Sequence, residues 1–492
     1  MRFRESDDRI VPQKLEVQSG GMKPGNAGEG KAVRPTRVQD AESPTLSGGS
    51  TVLDRLERIT ERAKTHPEEV FSNLFSLLNY ELLWYAFRRL KRGKVPGVDG
   101  VTVEDYEEDL EGNLRGLLDR LHRGSYRPNP SLRKNIPKGN GKTRPLGIAC
   151  VEDKLVQRAM VMVLERIYEV DFYDFSYGFR PQRSCHQALS ALGQSIATEK
   201  VNWISDADIE GFFDNVCHES LLELLQVRIS DPKLLALVKR FLKAGVMIEG
   251  KLEATEEGVP QGSSLSPLLA NVYLHHVLDD WFEREVKPRL QGQATLIRYA
   301  DDFICCFGLE SDARRYQAVL PKRLARYSLS VAQEKTKLLR FGRFAQRDSK
   351  RWGEGPPGTF DFLGFTHYCG RSRAGKFKLK RKTSGKKYRQ KVVELRRWFK
   401  SQLDVPIGEM WQILNAKLRG HYQYYGINDN WPMLMAYRNK ARVLVKRHLS
   451  RRSQNSYVNW THLDRLCERH PLSNPRKLTD LIAMSRASVS AV

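Results

Sequence analysis

The chain has 492 residues, 40% of them apolar, and its 82 Lys and Arg against 58 Asp and Glu leave a formal net charge of +24. That length exceeds one compact core and implies two to four folded units. No apolar run approaches the ~20 residues of a membrane span, and the start MRFRESDDRI lacks the apolar stretch of a secretory signal. The expectation is a soluble, cytoplasmic protein with no membrane partner, whose positive excess is neutralised by a polyanion such as nucleic acid.

Residues 1–50 are rich in Gly, Pro, Ser and charge and read as a disordered leader. From Thr51 the spacing of Val52, Leu53, Leu56 and Ile59 predicts helix, continuing in pieces to Leu90. A Gly- and Pro-rich break covers 94–100, and a further helix is expected across 106–121. Residues 132–365 alternate short apolar strands with amphipathic helices, an α+β pattern. In 371–400 fourteen Lys or Arg face Glu394 alone, with Phe377, Tyr388, Trp398 and Phe399 interleaved. Cations mixed with aromatics suit RNA, which offers phosphates, exposed bases and 2′-hydroxyls. Residues 391–449 are again helical, and a polar tail beyond about 485 should fray. The seven cysteines (150, 185, 217, 305, 306, 369 and 467) form no C-x-x-C pair and read as reduced, mostly buried thiols.

The chemistry centres on Tyr299-Ala300-Asp301-Asp302, with apolar Leu296-Ile297 before it and Phe303-Ile304-Cys305-Cys306-Phe307 after it. Two apolar strands joined by adjacent acids predict a hairpin that presents both carboxylates at its tip. Such acids repel each other and call for a hard cation such as Mg²⁺; taken alone, the pair is equally a solvated turn. A second acidic stretch, Asp206-Ala207-Asp208-Ile209-Glu210-Gly211-Phe212-Phe213-Asp214, follows the apolar Trp203-Ile204. A strand-end carboxylate beside a hairpin pair suits two-metal phosphoryl transfer, with the ions ~3.5–4 Å apart. Asp208 is the chosen ligand, and Asp206 and Asp214 are supporting acids.

Further motifs follow in order. Residues 136–148 read Ile-Pro-Lys-Gly-Asn-Gly-Lys-Thr-Arg-Pro-Leu-Gly-Ile, 176–181 read Ser-Tyr-Gly-Phe-Arg-Pro, 260–267 read Pro-Gln-Gly-Ser-Ser-Leu-Ser-Pro, and 362–365 read Phe-Leu-Gly-Phe. Together with the acids they resemble the reverse transcriptases encoded in bacterial group II introns, over roughly residues 53–470. The resemblance implies an α+β right-hand polymerase with an antiparallel palm sheet, followed by an α-helical thumb or maturase domain. In that scheme 51–130 is a helical extension leading into the fingers and 131–370 is fingers and palm. Residues 371–475 are the basic helical RNA-binding domain and 476–492 the tail. It further implies an RNA-directed DNA polymerase, a nucleotidyltransferase using two Mg²⁺ ions. Intron RNA would be its template, DNA its primer and target, and dNTPs its substrates, and the scheme allows a homodimer.

By the resemblance Asp208 and Asp301 ligate both metals, Asp302 completes the acidic site, and Ile209 belongs to the metal-holding set. Phe213, five residues past Asp208, matches the bulky side chain that crowds a ribose 2′-hydroxyl. Lys138, Lys142 and Arg144 sit in a Gly-containing turn whose cations suit a triphosphate, Arg144 above all. Gln261 resembles the residue beside the incoming nucleotide, and Ser266-Pro267 should start a helix as cap and first residue. Arg180 and Arg183 are expected near template or nucleotide, or as buried structural arginines. Gln182 stands where the family often has a small residue. Phe362, Leu363 and Gly364 resemble the primer grip, and Lys335 or Lys337 could protonate pyrophosphate. Residues 411–426 resemble the maturase-specific region, with Arg419, Tyr422 and Tyr425 as RNA-contact candidates among what are mostly core aromatics. The adjacent pairs Cys185-His186 and His275-His276 read as structural, because a helix turns neighbouring side chains apart.

The His/Asn/His endonuclease with paired cysteines found in some family members is not expected here. The leading function is copying intron RNA into DNA after insertion and helping that RNA fold for splicing and retrohoming. A splicing-only RNA-binding maturase with a dead polymerase is the alternative that intact Asp208, Asp301 and Asp302 oppose. A domesticated reverse transcriptase in defence or repair is another.

Overall fold

The computed structural model describes residues 51–137, 143–452, 457–476 and 478–484. Residues 1–50, Lys138, Lys142 and residues 485–492, on which the expectations of a leader, of triphosphate contacts and of a fraying tail fall, lie outside the described residues. The first helix, Val52–Thr65, starts where Thr51 forms a capping box with Asp54, each side chain accepting from the other's backbone N–H. It buries Val52 and Leu56 and is followed by helix Tyr80–Phe87. The single helix expected over 106–121 is instead two, Val103–Glu108 and Leu110–His122. Asp109 divides them by capping the second, its carboxylate accepting from Gly112 N at 3.1 Å. A Cβ on Gly112 would lie 2.4 Å from that carboxylate, so a larger residue there would displace the capping side chain.

Eleven strands lie among the described residues: β1 (Ser131–Pro137), β2 (Thr143–Ile148), β3 (Trp203–Asp208), β4 (Val246–Ile248), β5 (Lys251–Glu253), β6 (Ala294–Tyr299), β7 (Asp302–Phe307), β8 (Lys337–Arg340), β9 (Phe360–Phe362), β10 (Phe365–Arg371) and β11 (Phe377–Thr383). They form three sheets in the orders β2-β1-β4-β5, β6-β7-β3-β8 and β11-β10-β9. The β1–β4 pairing is parallel and the other pairings are antiparallel. The architecture is therefore mixed α+β, as the alternation of strands and helices implies.

The central sheet β6-β7-β3-β8 is apolar on both faces, and its period-2 alternation divides it between two cores. On β7, Phe303, Cys305 and Phe307 join the core that contains the N-terminal helices, helix Val151–Asp171 and helix Ser266–Leu274. Ile304 and Cys306 turn the other way, into the core built with helix Cys185–Thr198 and the C-terminal helices. Those are Gly385–Lys400, Ile407–Tyr425, Trp431–Leu449 and Trp460–Arg469. The basic segment from 371 is thus not helical throughout. It includes β11, where Leu379, Arg381 and Thr383 are buried, Lys378 and Lys380 are half-buried with Lys378 paired to Asp429 at 2.8 Å, and Lys382 is exposed. Ser266 is the first residue of its helix rather than the cap; Ser263 Oγ instead accepts from Leu265 N at 3.2 Å. All seven cysteines are free, three of them buried and four partly so. No helix among the described residues is long and apolar enough to cross a membrane.

A fully buried ion pair joins the helical layer to the central sheet. Arg298 on β6 donates through Nε to Asp279 Oδ1 at 2.8 Å and through Nη2 to Asp279 Oδ2 at 2.5 Å, both side chains being 0% exposed. Its Nη1 also donates to Asn271 Oδ1 at 2.9 Å and to the Ala300 carbonyl at 3.1 Å. Removing one partner of such a pair leaves a buried charge uncompensated, which costs about 3–5 kcal/mol. Arg298→Met is therefore expected to lower unfolding stability by about that amount. The double variant Arg298→Met/Asp279→Leu should recover part of the loss in the same chemical-denaturation measurement.

Candidate active site

The hairpin expected around Asp301 is formed by β6 and β7, with Tyr299 opposite Asp302 and Ala300-Asp301 as its two-residue turn. Ala300 adopts φ 56°, a left-handed conformation that costs a non-glycine residue about 1–2 kcal/mol. Arg298 fixes the Ala300 carbonyl, and the 176–179 segment presses on the turn from outside. A Cβ on Gly178 would lie 2.2 Å from Ala300 N, so only glycine permits that approach. Asn271 Nδ2 holds the Gly178 carbonyl at 2.7 Å. Asp301 is 4% exposed and Asp302 half-buried.

Asp208 ends β3 directly across from Asp302 in the antiparallel register. Its carbonyl accepts from Ala332 N at 2.8 Å, and its Oδ2 accepts from the Lys335 ammonium at 2.5 Å. Asp206 lies two residues back, across from Lys337 of β8. Burial pushes the Asp206 carboxyl up to about 7; Lys337 opposes the rise, and Asp208 and Asp361 add to it. These groups line one cleft together with Asp302, Phe303 and Phe362. Ile209 is buried and its backbone forms an isolated antiparallel bridge with Val331; its side chain is a hydrocarbon, so its carbonyl is the atom it could offer a metal.

Phe213 lies in the short turn Phe212–Asp214, entered through Gly211 at φ 54°. It is 5% exposed and packs edge-on to Phe212 and Phe179 at centroid distances of 5.3 and 6.5 Å. Arg144 on β2 donates through Nε to Gln261 Oε1 at 3.0 Å, and Gln261 Nε2 donates to Asp214 Oδ1 at 3.2 Å. Gln261's carbonyl accepts from Gly147 N at 2.7 Å. The turn carrying Gln261 is anchored from below by Gln157, whose Oε1 accepts from Ser263 Oγ at 3.1 Å and Ser264 N at 3.0 Å. Sequence reasoning missed Gln157, Asn271, Asp279 and Arg298. The one available signal was a polar residue at an apolar position, as with Gln157 in helix Val151–Asp171.

Other candidates fall elsewhere. Arg180 is buried and engaged by Glu169 at 3.1 Å and by the carbonyls of Tyr173 and Ser176 at 2.6 and 2.9 Å, so its guanidinium braces the 173–180 loop. Arg183 pairs with exposed Asp174 at 2.6 Å. Phe362, Leu363 and Gly364 form the tight turn between β9 and β10, with φ 47° at Leu363 and 78° at Gly364. The Leu363 carbonyl accepts from Tyr424 OH at 3.1 Å, which ties this turn to helix Ile407–Tyr425. Tyr422 and Tyr425 are 6% and 3% exposed, so their rings belong to the core rather than to an open RNA surface. Arg419 is exposed and donates to Ser473 Oγ at 3.4 Å.

Residues 136–367, which hold the strands and turns around these acids, match the family model described as reverse transcriptase (RNA-dependent DNA polymerase). Among curated proteins, "Group II intron-encoded protein LtrA" of Lactococcus lactis subsp. cremoris is 38% identical over 241 residues, 49% of this chain and 40% of that protein. "Protein YkfC" of Escherichia coli is 38% identical over 244 residues, 44% of this chain and 64% of that one. "Nuclear intron maturase 1, mitochondrial" of Arabidopsis thaliana is 29% identical over 198 residues, 36% of this chain and 27% of that one. Each match spans less than two thirds of the relative's length.

The raised Asp206 carboxyl makes a pH prediction. Its folded value of about 7 stands above the ordinary 3.8, so native stability is fullest below about pH 4 and erodes as pH rises toward 7. Asp206→Asn carries no titrating proton. Its melting temperature relative to wild type should rise between pH 5 and pH 8, and a constant difference over that range would refute the assignment.

Proposed function

We propose that this chain is an RNA-directed DNA polymerase that also binds group II intron RNA, promoting splicing of that RNA and copying it after insertion. The observation that carries the reading is the meeting of Asp208, at the end of β3, with the Asp301-Asp302 turn at the same end of one antiparallel sheet. In this reading 51–130 lead into the fingers, 131–370 form fingers and palm, and 371–475 form the thumb and RNA-binding region. Lys382, exposed on β11, would supply part of the cationic surface that RNA phosphates require.

The donor set fits Mg²⁺: three carboxylates offer hard oxygen ligands, and Asp208 already draws a cation, the Lys335 ammonium, to 2.5 Å. Asp208, Asp301 and Asp302 would hold the ions, with the Ile209 carbonyl as a further ligand. When bound, the two ions would activate the primer 3′-hydroxyl and stabilise the departing pyrophosphate. Arg144, tethered through Gln261 and Asp214, would meet the triphosphate from the fingers side with Lys138 and Lys142. Phe213, wedged between Phe212 and Phe179, would stand against the sugar. Lys335, once released from Asp208, would be placed to give a proton to pyrophosphate. The turn at Phe362, Leu363 and Gly364 would seat the primer end, and Arg419 would meet intron RNA.

Primer extension on an RNA template with dNTPs and Mg²⁺ tests the reading. The Asp301→Ala/Asp302→Ala variant should lose at least about 100-fold in rate, the equivalent of several kcal/mol of lost charge stabilisation. A folded, RNA-binding wild type that fails to extend would leave an RNA-binding splicing factor. Phe213→Val should raise incorporation of ribonucleotides relative to deoxynucleotides by about ten-fold or more, read in single-nucleotide competition assays.

A further inference from the structure

The adjacent histidines at 275 and 276 do not behave as neighbours on an α-helix. Helix Ser266–Leu274 widens into a π-helical turn over His275–Asp279, and Asp280 follows it. The wider turn stacks residue i over i+5, so His275 and Asp280 come together while His276 reaches Asp280 at i+4. His275 Nε2 lies 3.7 Å and His276 Nδ1 3.5 Å from the same oxygen, Asp280 Oδ2. The three residues bring one ligand atom each within 4.8 Å of one another.

We propose that His275, His276 and Asp280 form a tetrahedral transition-metal site of the zinc class, separate from the carboxylate cleft. With metal–nitrogen bonds of about 2.0–2.1 Å, ligand atoms of a tetrahedron stand about 3.3 Å apart, so the two measured spacings need only small movements to close on an ion. The carboxylate is divided between two tasks. Its Oδ1 accepts from Tyr173 OH at 2.9 Å and faces Arg284 Nε at 3.4 Å, while Oδ2 is left toward the imidazoles. An outer hydrogen bond of this kind is what orients a metal-binding carboxylate.

Both rings are sheltered from solvent: His275 is 5% exposed, and the nitrogens turned away from Asp280, His275 Nδ1 and His276 Nε2, are buried. Three protein ligands leave the fourth position to water. The ion would pin the π-turn and, through Tyr173, the loop that Arg180 braces.

The test uses the full chain, stripped with chelator and titrated with Co²⁺ in excess Mg²⁺ to occupy the carboxylate cleft. One equivalent with the strong visible absorption of tetrahedral cobalt is expected, displaced by Zn²⁺, with Zn²⁺ raising the melting temperature. His276→Ala and Asp280→Asn should each weaken that equivalent at least ten-fold and lose the Zn²⁺-dependent rise. Circular dichroism in chelator establishes that both variants fold. Absence of the visible band, or an equal band in both folded variants, would overturn the site.

Discussion

The buried contact between Arg298 and Asp279 sets the position of nearly everything around the acidic turn. A guanidinium and a carboxylate with no exposure are costly to desolvate, and the fork geometry of arginine offsets that cost only with every N–H directed. Here one end of the fork takes Asp279 and the other takes Asn271 and the carbonyl of Ala300. The same residue's backbone pairs with Phe175 and Tyr177 at 2.9 Å on the open edge of β6. The left-handed Ala300 is thus held from inside by a charge and from outside by the backbone at Gly178. A strained turn persists when its surroundings over-determine it, and here they do so from both sides.

A second hub links the sheets. Gln261 touches β2 through Gly147 and Arg144, touches the Phe213 turn through Asp214, and is seated on helix Val151–Asp171 through its neighbours and Gln157. Its two amide ends are committed in opposite directions, which fixes the orientation of the amide plane. The result is an acidic cleft joined by short polar relays to a cationic strand pair, within a chain of net charge +24. The sign of the local field reverses over a few residues, the arrangement expected where a metal and a polyanion are both to be held.

Much of this was legible from local pattern. The apolar runs on either side of Asp301-Asp302 define the hairpin, and the apolar residues before Asp208 define β3, because strand periodicity is a local property. The reverse transcriptase motifs locate the domain. Long-range pairing was not legible: nothing near Asp279 reveals that its partner is Arg298, or that Gln157 supports a turn more than a hundred residues away. The approach of both adjacent histidines to Asp280 was not legible for a related reason, since the α-helical rule that turns neighbours apart does not hold where the helix widens. Burial decided the aromatics of helix Ile407–Tyr425. Tyr422 and Tyr425 read like RNA-stacking rings by type, but their face of the helix is the inner one.

The alternation along β7 reaches beyond packing. Cys305 and Cys306 are neighbours in the chain, yet they enter different cores on opposite faces of the sheet, and burial raises both thiols. Neither exists as thiolate at neutral pH, and neither meets an alkylating reagent while the sheet is intact. A bond between the two sulfurs would require one of them to cross the sheet plane. The only vicinal dithiol in the chain, four residues from the acidic turn, is therefore redox-silent in the folded protein, and its reactivity becomes a direct reporter of the central sheet coming apart.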